Sequence, residues 1–369
     1  MQRAADYEHM ARALRLAAHG TYTTDPNPTV GCVVVAGDRV VGEGWTQPAG
    51  GPHAERVALE AAGSAAAGAT AYVTLEPCSH QGRTGPCTEA LIAAGVERVV
   101  CAGIDPNPLV AGSGVDRLRL AGIEVETGLL GQQAEALNLG FFARMRRGRP
   151  WVRSKVAASL DGRTALANGA SQWITGAAAR RDVHRWRARA SAVMTGIGTL
   201  LADDPALTAR WEDTPLEPLQ PVRVIVDSSL RTPVGAKTLS LPGSVWVFTA
   251  APDGEAARAL TAKGAVIEPV AAAPHCDLAA VLRRLAELEI NEVWVEAGAT
   301  LNGALLEQGL VDELVLYLAP QILGATARGM FSLPPLARLE DRIELEIEDL
   351  RMVGPDLRIV VRPSTVAAR

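Results

Sequence analysis

Apolar positions near the start of the chain fall at helical spacing. Met10, Leu14 and Ala17 share one face after Asp6, and Gly20 ends the run. The pattern then shifts to β-branched residues. "TVGCVVVAGDRVVGEG" places two such runs around Gly37-Asp38, which predicts a hairpin. "PHAERVALEAAG" predicts a helix opened by Pro52. "ATAYVTLEPC" reads as a strand running out into a loop, "CTEALIAAGV" as a helix and "ERVVCAGI" as a strand. Such alternation predicts a sheet with helices on both faces.

The basic stretch "RMRRGRP", Arg144 to Pro150, interrupts this alternation and predicts a boundary between domains at 1–147 and 148–369. Tryptophan use changes there too. Only Trp45 precedes it, whereas Trp151, Trp173, Trp186, Trp211, Trp246 and Trp294 follow. A second α/β series comes next, with strands near "RVIVDS", "SVWVFTA", "EVWVEAG" and "ELVLYLAP". "SKVAASLDGRTA" and "SQWITG" read as loops just after strands, and "RPSTVAAR" as a frayed tail. The sequence contains no internal repeat.

Composition narrows the class. A chain of 369 residues fits two domains, and 48% hydrophobic with 21% charged residues is globular. The formal net charge of −5 argues against a broad nucleic-acid surface but leaves room for a local basic pocket. The N-terminal segment has no uninterrupted apolar core, so no signal peptide is expected. No run approaches the roughly 18 apolar residues of a membrane helix. Five cysteines without a regular framework point to a reducing compartment, the cytoplasm.

The chemistry is concentrated in one place. His53-Ala54-Glu55 precedes "LEPCSHQGRTGPC", which runs from Leu75 to Cys87 and puts a proline before each cysteine. Catalytic zinc takes three protein ligands and a water, and His53, Cys78 and Cys87 supply three. Such a water ionises near pH ~7, and a proton carrier that is not a ligand must then assist it. Glu55, two residues from His53 and early on the same helix, is placed for that task. The order His-x-Glu…Pro-Cys…Cys is that of zinc nucleobase deaminases, although eight residues rather than two separate the cysteines. The longer insert offers His80, Gln81, Arg83 and Thr84 as a recognition loop. His80 is either a fourth ligand or a surface loop residue, Cys32 and Cys101 read as core residues, and Cys276 as incidental in a polar loop. A structural zinc site remains the alternative reading.

The second half carries weaker signals. No GxGxxG follows a strand, so a Rossmann site is not supported. In "EVWVEAGATLNGALL" a strand ends at Val295 and Gly298 to Gly303 turn into a helix beginning near Asn302, a shape able to hold a pyrophosphate. Arg187 and Arg210 either clamp a substrate phosphate or form a solvated helix face and a loop cation. Asp161, Asp203 and Asp204 equally suit turns and caps.

Taken together, "DPNPTVGCVVV", "PHAE", "LEPCSHQGRTGPC" and "DPNPLVAGSG" resemble the N-terminal half of the bifunctional riboflavin-biosynthesis deaminase/reductase family. "KVAASLDGRTA", "SQWITG", "GIGTLLADDPALTAR", "VDSSLRTP" and "VEAGATLNGALL" resemble its reductase half, in order. The long cysteine spacing is that family's own, with Gly85 where a second proline is usual. The resemblance implies a cytidine-deaminase-like three-layer α/β/α domain followed by a dihydrofolate-reductase-like α/β domain. It implies zinc on His53, Cys78 and Cys87, catalysis by Glu55, and NADPH as hydride donor. By matching motifs, Ala158, Trp173, Thr199, Asp203, Ser228 and Gly298, Ala299, Thr300, Leu301, Asn302, Gly303 and Ala304 would contact the cofactor. Ser171, Arg187, Leu207, Arg210 and Glu296 would contact a phosphoribosylaminopyrimidine substrate. A homo-oligomer, dimeric through the reductase domain, is implied, with no nucleic-acid or membrane partner. Two rivals remain: a tRNA or cytidine deaminase with an accessory domain, and a structural-zinc scaffold that only binds a nucleotide.

Overall fold

The computed structural model describes residues 2–80, 85–108, 110–210, 219–270 and 274–364. The chain forms two compact units, Met1–Gly148 and Arg149–Arg369.

Unit 1 runs α1 (Gln2–Ala17), β1 (Gly31–Ala36), β2 (Arg39–Trp45), α2 (Ala54–Ala62), β3 (Thr70–Val73), α3 (Cys87–Ala93), β4 (Arg98–Cys101), α4 (Ser113–Leu120), β5 (Glu124–Thr127), α5 (Gly131–Leu137) and α6 (Leu139–Arg147). Its strands lie in the order β2-β1-β3-β4-β5. The hairpin β1/β2 and the pair β1/β3 are antiparallel, whereas β3/β4 and β4/β5 are parallel. Alternate residues face opposite sides. Val33, Val35, Tyr72 and Val100 pack with Met10 and Ala13 of α1, while Cys32, Val34, Val73 and Val99 pack with α2, α3 and Phe142 of α6. The two-residue period thus builds three layers.

Helix α2 lies directly on β2. A Cβ on Gly44 would sit 2.5 Å from the carbonyl oxygen of Ala54, so only glycine permits this approach. The N-terminus of α2, and His53 and Glu55 with it, is thereby fixed against the sheet.

Unit 2 runs β6 (Trp151–Ser159), β7 (Arg163–Ala165), α7 (Ala177–Arg189), β8 (Ala192–Gly196), α8 (Ile197–Asp203), β9 (Val222–Val226), α9 (Lys237–Ser240), β10 (Val245–Thr249), α10 (Glu255–Ala262), β11 (Ala265–Pro269), α11 (Leu278–Glu287), β12 (Glu292–Glu296), α12 (Ala299–Glu307), β13 (Glu313–Ala319), β14 (Arg328–Gly329), β15 (Leu345–Val353) and β16 (Asp356–Pro363). Nine strands form one sheet in the order β11-β10-β9-β8-β12-β6-β13-β16-β15. All neighbouring pairs from β11 to β13 are parallel, and β16 and β15 add an antiparallel edge. The sheet is covered on one face by α11 and α12 and on the other by α7 and α10.

Three sequence expectations need correction. Arg144 to Arg147 do not interrupt the pattern, because they form the last turn of α6, closed by Gly148 at φ 63°. "KVAAS" is not a loop but the inner half of β6. Helix α12 begins at Ala299, not near Asn302, with Gly298 as its N-cap residue. The expected fraying of residues 365–369 lies outside the described residues.

Candidate active sites

The first site forms where three chain segments converge. His53 is the extended N-cap residue of α2 rather than part of the helix, Cys78 follows β3, and Cys87 is the first residue of α3. The Sγ atoms of Cys78 and Cys87 lie 3.6 and 3.4 Å from His53 Nδ1. Ligands at zinc distances of about 2.3 Å for sulfur and 2.0–2.1 Å for nitrogen, set tetrahedrally, stand about 3.6 Å apart. The donor set therefore fits zinc in both chemistry and spacing. Among the described residues these three form the one such group of metal-binding type. His80 is exposed and is not part of it.

The electrostatics agree with a thiolate site. The Cys78 thiol is pulled down to about 4, first by its hydrogen bond with Cys87 and then by His53 and the Cys87 N–H. That N–H donates to Cys78 Sγ at 3.4 Å. Cys87 is pushed up, first by the bond to Cys78 and then by burial. A cation shared by both sulfurs removes that penalty. Glu55 occupies the first turn of α2, and its carboxyl is raised, first by burial and then by the charge on Cys78. It lies beside the three donor residues without being one of them. Arg56 donates to the Gly85 carbonyl at 3.0 Å, which ties α2 to the cysteine loop. Gln81, Arg83 and Thr84, the expected recognition loop, lie outside the described residues.

The second site is a cleft of about 1610 Å³ within unit 2. This exceeds the several hundred cubic ångströms of a single small-ligand pocket and has room for a dinucleotide beside a second ligand. Ser171, Trp173, Thr199, Asp203, Leu207 and Ser228 line it. So do Gly298, Ala299, Thr300, Leu301 and Ala304 at the start of α12, together with Arg187, Arg210 and Glu296. Ala158, Asn302 and Gly303 do not. Ala158 is fully buried in β6, Asn302 bonds to Ser154 and to the Ala297 carbonyl, and a Cβ on Gly303 would meet Ser332 O at 2.1 Å.

Arg187 departs from both sequence readings. Its Nε and Nη2 bond to Glu296 at 2.5 and 2.9 Å, and Nη1 to the Thr208 carbonyl at 3.0 Å. Its side chain is 12% exposed. It is therefore neither a solvated face nor, in this arrangement, a free fork for phosphate. Glu296 also accepts from Trp294 Nε1 at 2.8 Å and faces Lys155 at 3.6 Å. Its carboxyl is held far below the usual range against the effect of burial, chiefly by Arg187 and then Lys155. Arg210 is exposed and rests on His184, its Nη2 lying 3.2 Å from Nε2. Burial, Arg187 and Arg210 bring His184 down to about 4.

Sequence reasoning missed Lys155, His184 and Trp294. Lys155 carried a readable sign, a second charge after Arg153 within β6, and Trp294 lies two residues from its acceptor Glu296; His184 is defined by Arg210, 26 residues on. Asp161 and Asp204 act as turn and cap residues. Asp161 accepts from Ser159 and from the N–H groups of Leu323 and Gly324, and Asp204 closes α8 and accepts from Lys237 N–H. Cys276 is not incidental: it is buried against Phe248 with Ser228 Oγ at 3.5 Å. Cys32 and Cys101 are core residues.

A layered unit with a His/Cys/Cys centre and a buried glutamate, on the same chain as a parallel-sheet unit with a dinucleotide-sized cleft, defines a zinc deaminase fused to a reductase. Residues 3–103 match the cytidine and deoxycytidylate deaminase zinc-binding region, and residues 150–359 the RibD C-terminal domain. The chain is 50% identical to the riboflavin biosynthesis protein RibD of Escherichia coli, covering 95% of this chain and 98% of that one. It is 48% identical to its counterpart in Haemophilus influenzae, covering 98% of each. Form 2 of Acinetobacter baumannii RibD superposes with a TM-score of 0.92 at 44% identity, over 99% of this chain and 100% of that one. A Thermotoga maritima diaminohydroxyphosphoribosylaminopyrimidine deaminase/5-amino-6-(5-phosphoribosylamino)uracil reductase gives 0.85 at 33%, over 98% and 100%. The chain belongs to the RibD family, the bifunctional deaminase/reductases of riboflavin biosynthesis, whose cofactors are zinc and NADPH. Among the described residues no helix is long and apolar enough to cross a membrane.

Proposed function

We propose that residues 1–147 hydrolytically deaminate 2,5-diamino-6-(5-phosphoribosylamino)pyrimidin-4-one. Residues 148–369 then reduce 5-amino-6-(5-phosphoribosylamino)uracil to the 5-phosphoribitylamino product. The observation that carries this reading is the spacing of His53, Cys78 and Cys87 with Glu55 buried beside them. Zinc held by these three residues supplies a water that is nucleophilic at neutral pH. Glu55 takes a proton from the attacking water and delivers it to the departing amine, so that ammonia leaves neutral.

In unit 2 NADPH supplies hydride, and the chain positions it. The N-terminal turn of α12, Gly298 to Leu301, receives the pyrophosphate, with Thr199, Asp203, Ser228 and Trp173 along the same cofactor. Asn302 and Gly303 support that turn from behind. Ser171, Leu207 and Arg210 face the phosphoribosyl substrate, with Arg187 and Glu296 forming the floor below it.

The exposed apolar residues Leu345, Ile347, Leu350 and Met352 on the edge strand β15 support a dimer through this unit. Ile347→Glu should convert it to a monomer by sedimentation. The acidic balance supports a small-molecule enzyme without nucleic acid, and free thiols support the cytoplasm. The decisive experiment incubates the protein with the diaminopyrimidine, with and without NADPH, and follows products by mass. Loss of one nitrogen without NADPH, and a further gain of two hydrogens with it, are expected. No ammonia release with zinc bound would favour the structural-zinc scaffold.

A further inference from the structure

Glu76 lies between β3 and Cys78 and is buried. Its carboxylate accepts four main-chain N–H groups. Oε2 accepts from Asp105 and Gly112, both at 3.0 Å, and Oε1 from Gly114 at 2.8 Å and Val115 at 3.0 Å. Asp105 precedes α4, Gly112 is its N-cap residue, and Gly114 and Val115 lie in its first turn. A carboxylate satisfied in this way holds backbone more firmly than neutral bonds do.

Two further observations show that the start of α4 is built to meet the cysteine loop. A Cβ on Gly114 would lie 2.0 Å from Pro77 O, so the main chain of α4 rests against the residue before Cys78. Ser113 Oγ bonds to Ser79 Oγ at 2.7 Å on the other side of that cysteine. Asp105, ahead of α4, is itself buried. The start of α4 therefore flanks the metal centre, and Glu76 is the tether between them.

We propose that Glu76 is a positioning residue of the deaminase: it fixes Asp105 and residues 112–115 as the wall against which the pyrimidine is held beside Glu55. The inference rests on the deaminase reading, so ammonia release by the wild-type enzyme is measured first. The variant is Glu76→Gln in the full-length, zinc-loaded protein. It keeps the shape but turns one acceptor into an NH2 group facing two main-chain donors.

Zinc content should be unchanged, KM for the diaminopyrimidine should rise at least about tenfold, and kcat should change less. Reduction of the already deaminated substrate should be unaffected. The amides of Gly112, Gly114 and Val115 should be protected from hydrogen exchange in the wild type and exchange at least about tenfold faster in the variant. Unchanged KM, or loss of zinc, overturns the proposal; so do rapidly exchanging amides in the wild type. Should Glu76→Gln not fold, Gly114→Ala displaces the same wall with every ionisable group retained, and an unchanged KM there is equally fatal. A wild-type enzyme that releases no ammonia overturns the deaminase reading instead, and hydrogen exchange alone then decides the tether.

Discussion

Replacing Arg187 by alanine separates two roles that the sequence leaves open. In the structure the Glu296 side chain is only 12% exposed and receives two bonds from Arg187, one from Trp294 and a longer approach by Lys155. Truncation leaves a largely buried carboxylate with one neutral donor and an amine 3.6 Å away, and it frees the Thr208 carbonyl. Breaking a buried ion pair from one side costs about 3–5 kcal/mol, and Lys155 should keep the figure near 3. For a unit of this size that lowers the melting temperature by about 6–12 °C. Calorimetry of the zinc-loaded protein measures it. The double variant Arg187→Ala/Glu296→Gln, which removes both charges, should recover at least half of the loss. A different result would refute the argument: an unaltered melting temperature, with KM raised at least about tenfold for the phosphorylated substrate but not for its dephosphorylated analogue. Arg187 would then be a phosphate ligand rather than the counter-charge that holds Glu296.

Metal analysis should find about one zinc per chain, lost in Cys78→Ser and Cys87→Ser because a neutral hydroxyl replaces a thiolate; retention by both would remove the assignment. Glu55→Gln should keep zinc and lower ammonia release by at least ~10²-fold, while NADPH oxidation with the pre-deaminated substrate continues. Loss of both activities with zinc retained would mean one composite site. His184 is lowered from 6.5 to about 4, so the fold favours its neutral form. Its contribution to stability should be complete above pH 6.5 and be lost as pH falls from there towards 4. An imidazole titration midpoint at or above 6.5, read by NMR, would contradict this.

Much of unit 1 is legible because its signals are local. The hairpin at Gly37-Asp38, the strand leading to Cys78 and the helix opening at Cys87 each declare themselves within about ten residues. The errors arise where distant partners override local propensity. Asn302 and Gly303 are weak helix formers, and the sequence puts the helix start near Asn302, a turn too late. They are helical because Asn302 is bonded to Ser154 and the Ala297 carbonyl, and because Gly303 lets Ser332 pack against α12. Arg187 reads as a surface cation until Glu296, more than a hundred residues away, is placed beside it. Cys276 does lie in a loop, but it reads as incidental until β10 brings Phe248 over it. The metal site escapes this difficulty, since residue types rather than packing announce it.

The place of β6 in the nine-stranded sheet bears on how the protein is made. It is the first strand of unit 2 to leave the ribosome, yet its neighbours in the sheet are β12 and β13. Its pairing therefore waits for roughly 150 residues of further synthesis, on the order of ten seconds at usual elongation rates. Throughout that interval β6 exposes two unpaired edges, while the sheet of unit 1 already has all its strands. The order of the two active sites along the chain is thus also an order in time. A nascent chain can own a finished deaminase fold long before its reductase sheet can close.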